Sequence, residues 1–178
     1  MANEYLLHPL DPYKFCATDR ELMFDLPLQD MKRAGDMLLD VDDTIHFELR
    51  FSHGPQRLMQ VQGSLKGEVT LECQRCLGSV RQAINSEFLW GLVTTEEAAE
   101  NLPRTHEPVF IEKDVLELLP AIEDELILAL PLVAYHPPED CKLPQHLQLQ
   151  ETQAQEPEKK HNPFSALADL KKSLKSGQ

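Results

Sequence analysis

Positive charge, aromatic side chains and long apolar runs are all scarce in this chain of 178 residues. Seventeen lysines and arginines face thirty aspartates and glutamates, a formal charge of −13. A nucleic-acid or anionic-membrane binder works by releasing counterions to clustered cations, so this balance argues against capture by bulk charge and leaves only local basic patches. Aromatics make up 6% with a single tryptophan, Trp90, too few for a base-stacking platform. The longest apolar region, Val115 to Tyr135, is interrupted by Glu117, Glu123, Asp124 and Glu125 and by Pro120 and Pro131, which argues against a membrane-spanning helix. The opening MANEYLLHPLDPYKF has no cationic start followed by an apolar run and a small-residue cleavage site, so a cytoplasmic location and no membrane partner are expected. Four cysteines in a reducing compartment point to free thiols or metal ligands rather than a disulfide framework. No nucleophile elbow, phosphate loop, dinucleotide fingerprint or HExxH is found, and the seven histidines form no catalytic set. The run Glu123-Asp124-Glu125 reads as a solvated helix face, because consecutive helical residues cannot converge on one substrate. Nothing in the sequence argues for an enzyme.

What is present is strand alternation. Ile45, Phe47, Leu49 and Phe51 share one phase and Thr44, His46, Glu48 and Arg50 the other. Alternation resumes after the Gly54-Pro55 turn with Met59, Val61, Leu65, Val69, Leu71 and Cys73, and again with Val80, Ile84, Phe88, Trp90 and Leu92. Gly63 and Gly67 fall on the apolar phase, where a bulge or a close approach is expected. Short connections make these strands an antiparallel meander, with barrel-like closure a possible outcome. Asp11-Pro12 opens a short helix through Cys16; Phe24, Leu26 and Leu28 mark an edge strand or loop, and 28–38 a further short helix. Thr94 or Thr95 caps a short acidic helix, and Val109 to Ile111 is a brief extended piece. Asp114 and Glu117 resemble a capping box ahead of one long helix to Leu130, which Pro120 should kink or delay.

Composition then divides the chain. Residues 1–143 read as one α+β domain, an antiparallel sheet packed by the long helix and short N-terminal helices. Residues 144–161, rich in Gln, Glu and Pro, read as a disordered linker, and 162–178 as a short basic amphipathic tail with Phe164, Leu167 and Leu170 on one face. A tail of this kind suits docking.

The sharpest local signal is Cys73-Gln74-Arg75-Cys76 in a turn between two strands. Two thiols so spaced can face one metal, and His136 and Cys141, just past the long helix, would complete a tetrahedral Cys3His set for structural zinc. The same pair can instead be reduced thiols capping a hairpin. A thioredoxin-like role lacks the helix N-terminus that lowers the first thiol's pKa, since a strand follows. Cys16 reads as a buried small hydrophobe. Positive charge gathers twice. Arg50, Arg57, Lys66, Arg75 and Arg81 outnumber Glu68 and Glu72 across the sheet region, and the stretch from Lys159 to Gln178 carries five lysines, Lys171 and Lys172 among them, against Asp169. Either group could contact phosphates or a partner, or serve only solubility.

Three stretches carry a resemblance: Gly67 to Leu77 around the CxxC; Ile122-Glu-Asp-Glu-Leu-Ile-Leu-Ala-Leu-Pro131 with His136 and Cys141 behind it; and Asn162-Pro-Phe-Ser-Ala-Leu-Ala-Asp-Leu-Lys171. Together with Leu10-Asp11-Pro12 they resemble the bacterial large ribosomal RNA subunit accumulation protein (YceD) family over nearly the whole chain. The resemblance implies a non-enzymatic part in ribosome biogenesis, in the synthesis, processing or stability of 23S rRNA. Its partners would be precursor large-subunit rRNA, ribosomal proteins of the assembling subunit, or both. The alternative is an acidic adaptor that holds a basic ribosomal protein without touching RNA.

Overall fold

The computed structural model describes residues 4–142. The expected linker and basic tail, with Lys171 and Lys172, lie outside them.

The three alternating runs become the centre of a five-stranded sheet whose strand order follows the chain, β1 (Glu21–Pro27), β2 (Thr44–His53), β3 (Met59–Glu72), β4 (Ser79–Val93) and β5 (Glu107–Phe110). The first four pair antiparallel, with Phe47 opposite both Phe24 and Leu65, and Val61 opposite Trp90. β5 lies parallel to β4, Leu92 beside Val109. The sheet is therefore mixed and open, with β1 and β5 at its edges: the antiparallel meander expected from Thr44 to Val93 is present as β2 to β4, and barrel-like closure does not form. A parallel neighbour needs a crossover, and the segment 94–106 with its short helix supplies it. Pro27 ends β1, the edge position at which a residue without an N–H is tolerated.

One face of the sheet is apolar and buried. Ile45, Phe47, Phe51, Val61, Leu65 and Val69 are all fully covered. Gly63, opposite Phe88 and Leu49, has no bulge; the Phe88 ring lies where a Cβ would stand and stacks on Trp90 with ring centroids 4.8 Å apart. The close-approach reading of this glycine is the correct one.

Among the described residues five α-helices accompany the sheet: α1 (Glu4–Leu7), α2 (Pro12–Ala17), α3 (Lys32–Gly35), α4 (Glu96–Glu100) and α5 (Leu118–Ala129). Asp11 caps α2 by accepting from the Lys14 N–H at 3.1 Å, and Thr95 caps α4 through the Ala98 N–H at 3.2 Å. Cys16 is buried in α2 as expected. The helix expected over 28–38 is instead a 3₁₀ turn, Leu28–Asp30, followed by the single turn α3.

The long helix differs from its expected form at its N-terminal end. It starts at Leu118 rather than Asp114, because Lys113 and Asp114 hold positive φ (50° and 65°) in a tight turn that Glu112 and Val115 close. Glu117 is the capping residue but makes no side-chain capping bond, so the expected capping box does not form. Pro120 sits in the first turn, where its missing N–H costs nothing. Leu118, Ile122 and Leu126 fill the core behind it.

Glu123 and Glu125 are buried, which corrects the solvated face expected for this run, while Asp124 between them is exposed as expected. Each carboxylate meets donors placed for it. Met31 offers α3 no side-chain cap, and Glu123 takes that role from α5: its Oε1 accepts from the backbone N–H groups of Arg33 (2.6 Å) and Ala34 (3.1 Å). Its Oε2 accepts from Arg33 Nε at 2.9 Å, while Arg33 Nη1 reaches Asp124 at 2.6 Å. Glu125 turns the other way and accepts the Trp90 Nε1–H at 2.6 Å.

Burial raises Glu125 to about 7, the Trp90 N–H opposing the shift and nearby Glu107 adding to it. The folded state thus favours the neutral acid. Its contribution to stability is whole below the ordinary carboxylate range, falls as the pH climbs towards about 7, and is constant above that. Glu125→Gln keeps an acceptor for Trp90 and carries no charge. The variant should gain about 1–2 kcal/mol at pH 8, after allowance for solvent screening, and almost nothing at pH 4. Thermal denaturation at the two pH values checks this; equal effects at both would contradict the assignment.

Candidate metal centre

The hairpin between β3 and β4 is closed by a knuckle at 73–78. The Cys73 N–H bonds to Gly78 O (2.8 Å) and the Leu77 N–H to Cys73 O (2.8 Å), with Leu77 at φ 61° turning the chain back. Such a turn aims both Cys73 and Cys76 to one side. Beyond α5 the chain returns to this knuckle, the Gln74 N–H bonding to Ala134 O at 3.0 Å. That return carries His136 and Cys141 to the two thiols, and one ligand atom from each of the four residues lies within 4.8 Å of the others.

The geometry suits a tetrahedral ion. Zinc–sulfur bonds of about 2.3 Å at tetrahedral angles set sulfurs about 3.8 Å apart. Cys73 Sγ and Cys141 Sγ are 3.8 Å apart, and Cys76 Sγ lies 3.3 Å from His136 Nδ1. The four cysteines of the chain are free thiols. His136 Nε2–H donates to Ser79 O at 2.8 Å, which fixes the tautomer and leaves the Nδ1 lone pair towards the sulfurs. The sulfurs are themselves hydrogen-bonded: the His136 N–H points to Cys73 Sγ (3.5 Å) and Arg75 Nε–H to Cys141 Sγ (3.0 Å).

These donors act on the thiols. Burial alone would push Cys73 up, but the backbone N–H groups of Cys76, His136 and Arg75 together outweigh it and bring the thiol down to about 5. The Gly78 N–H favours the Cys76 thiolate; burial and the adjoining sulfurs of Cys73 and Cys141 outweigh it, and the Cys76 pKa is raised. One thiolate is thus present at neutral pH, and a cation favours the remaining deprotonations. Cys73 and Cys76 are buried and His136 and Cys141 half-buried. All four expected ligands are brought together.

The five expected cationic contacts are not. Arg50, Lys66 and Arg81 lie on the outer, polar face of the sheet, while Arg57 and Arg75 stand beyond opposite ends of β3. Arg50 faces Glu21 at 3.6 Å, and Arg81 reaches Glu68 at 2.7 Å and Asp43 at 3.3 Å. Lys66 is exposed and makes no ion pair with a described residue. Arg75 belongs to the thiol cluster, its Nη2 also donating to His136 O at 3.3 Å. Sequence reasoning missed that role, although the one signal for it was visible: a guanidinium set between two thiols of a turn. It also missed the acid-rich outer face, where Glu21, Glu48 and Glu87 stand among the cations.

The fold and this centre define a small α+β protein built around an open mixed sheet and closed at one hairpin by a Cys3His knuckle. The chain belongs to the YceD family: the model described as large ribosomal RNA subunit accumulation protein YceD matches residues 61–171. A Haemophilus influenzae protein described as large ribosomal RNA subunit accumulation protein YceD is 34% identical over 163 residues, covering 91% of this chain and 94% of the relative. No solved structure matches. Among the described residues no helix is long and apolar enough to cross a membrane.

Proposed function

We propose that this chain is a non-catalytic cytoplasmic factor that supports accumulation of 23S rRNA while the large ribosomal subunit is assembled. The observation that carries the reading is likeness along nearly the whole length to a protein described by that role, not to a fragment of it. In this reading the exposed cations Arg50, Arg57 and Lys66, with Lys171 and Lys172 of the tail, contact phosphates of precursor rRNA. Arg75 and Arg81 contribute less, being held by the thiol cluster and by acidic neighbours. The Cys3His centre holds one structural zinc ion, supplying rigidity rather than chemistry.

The test is complementation. In cells lacking the native gene, a chain with Arg50→Gln, Arg57→Gln, Lys66→Gln, Lys171→Gln and Lys172→Gln should restore the 23S to 16S ratio and co-sedimentation with pre-ribosomal particles less well than the unaltered chain. Full restoration would remove the phosphate-contact account.

A second reading has its own support. Two cations of the outer face are already occupied by carboxylates, which favours a protein partner over bare RNA. Here the chain is an adaptor for a basic ribosomal protein. Co-purified partners that survive ribonuclease treatment would support the adaptor; loss of all of them would count against it.

A further inference from the structure

A cleft of about 790 Å³ opens between β5, the 112–117 turn and α5. Its floor is apolar and open to solvent: Phe110 and Leu128 are 48% and 72% accessible, with Val109 and Ile127 half-buried beside them. β5 is the last strand of the sheet, and among the described residues its outer edge has no strand neighbour. The rim is acidic. Glu107, Glu112 and Glu117 are exposed and form no ion pair with a described residue, and among the described residues no lysine or arginine lines the cleft. Asp124 also faces it, shared with Arg33.

This pairing of apolar floor and anionic rim selects its occupant by charge. Phosphate-bearing ligands are repelled. The body of a second copy of this chain, itself strongly acidic, brings like charge to like. The lysine-bearing stretch 159–178 is an outcome of the test: tighter peptide binding by Lys171→Gln with Lys172→Gln would name it as the occupant and overturn the proposal. A segment with apolar side chains among lysines and arginines satisfies both the floor and the rim. We propose that the cleft between β5 and α5 binds a lysine- and arginine-rich segment of a partner protein. Its apolar side chains rest on Phe110, Val109, Ile127 and Leu128, and its cations face Glu107, Glu112 and Glu117. The inference rests on the adaptor reading and gives that reading a surface and a partner chemistry.

The test titrates the full-length, isotope-labelled protein with a synthetic decapeptide of lysines and arginines that contains two leucines. Amide shift changes are followed by NMR. Saturable changes confined to residues 107–128 are expected. Serine in place of the leucines should weaken binding several-fold, and glutamates in place of the cations should abolish it. At low salt, Glu112→Gln with Glu117→Gln should weaken the peptide about tenfold, and Leu128→Ser by a similar factor. Glu96→Gln with Glu97→Gln on α4, which removes equal charge elsewhere, should leave affinity unchanged. Equal weakening by the α4 variant, shifts spread over the outer sheet face, or an RNA oligonucleotide moving the same amides would each overturn the proposal. Failure here beside partners that survive ribonuclease would remove this cleft and keep the adaptor; loss of those partners would remove the adaptor itself.

Discussion

Cys76→Ser protein is expected to leave purification with less than about a tenth of an equivalent of zinc, against about one equivalent for the unaltered chain, measured by elemental analysis. Serine keeps the size of the side chain but cannot supply a thiolate, and a three-ligand remnant holds the ion far less tightly. The knuckle is anchored by few other groups. Its contacts with the returning chain are the Gln74 N–H to Ala134 O bond, the His136 bond to Ser79 O and the Arg75 contacts. Loss of the ion should therefore lower Tm by about 10 °C, in the range of a single severe destabilisation of a domain this size. A chelator should do the same to the unaltered chain. Hydrogen exchange should rise at 73–78 and 131–142 while β2 and β3 keep their protection, because their packing lies on the buried sheet face. Unchanged metal content and Tm in the variant would leave the cluster as reduced thiols closing a hairpin.

Glu123→Ala should destabilise by about 3 kcal/mol, comparable to breaking a buried ion pair on one side. The variant leaves the Arg33 and Ala34 N–H groups without their acceptor and the Arg33 Nε without its carboxylate. Burial pushes Glu123 up, but the Ala34 N–H and the side chain and N–H of Arg33 outweigh it and hold the pKa below the ordinary range. A depressed acid contributes stability above its unfolded pKa and loses it as the pH falls through its folded value. The penalty of Glu123→Ala should accordingly be full at pH 7 and shrink in acid, opposite in sign to the pH trend of Glu125. Denaturant unfolding at several pH values measures it. A penalty independent of pH would mean that the alanine acts through lost packing alone.

Those two glutamates show where sequence pattern stops being informative. Strands β2, β3 and β4 were legible because period-two alternation reports which face is covered, and the covered face is the one that pattern names. The caps of α2 and α4 were legible because Asp11 and Thr95 act within one turn of themselves. Glu123 and Glu125 were not, since their burial depends on donors 90 and 35 residues away in the chain. The parallel seating of β5 was hidden for a similar reason: four residues carry too little pattern to state a direction. The Cys3His set was legible as a composition of ligands, because few residue types bind zinc. Its closure rests on a chain return that no spacing rule between Cys76 and His136 could supply. The cationic island was read by counting along the chain, whereas charge acts through space, and Glu21 and Asp43 enter only when the strands are laid side by side.

Strand order that follows chain order has a kinetic consequence. Each of β2 to β4 can zip onto its predecessor as soon as it is made, with modest loops to close, so the antiparallel body assembles through local steps. The meeting of 73–76 with 136–141 spans sixty residues or more and must wait for α5 to dock. The knuckle is therefore expected to close after the antiparallel body has formed, and occupancy of the thiol cluster would report that α5 and the chain return behind it are in place.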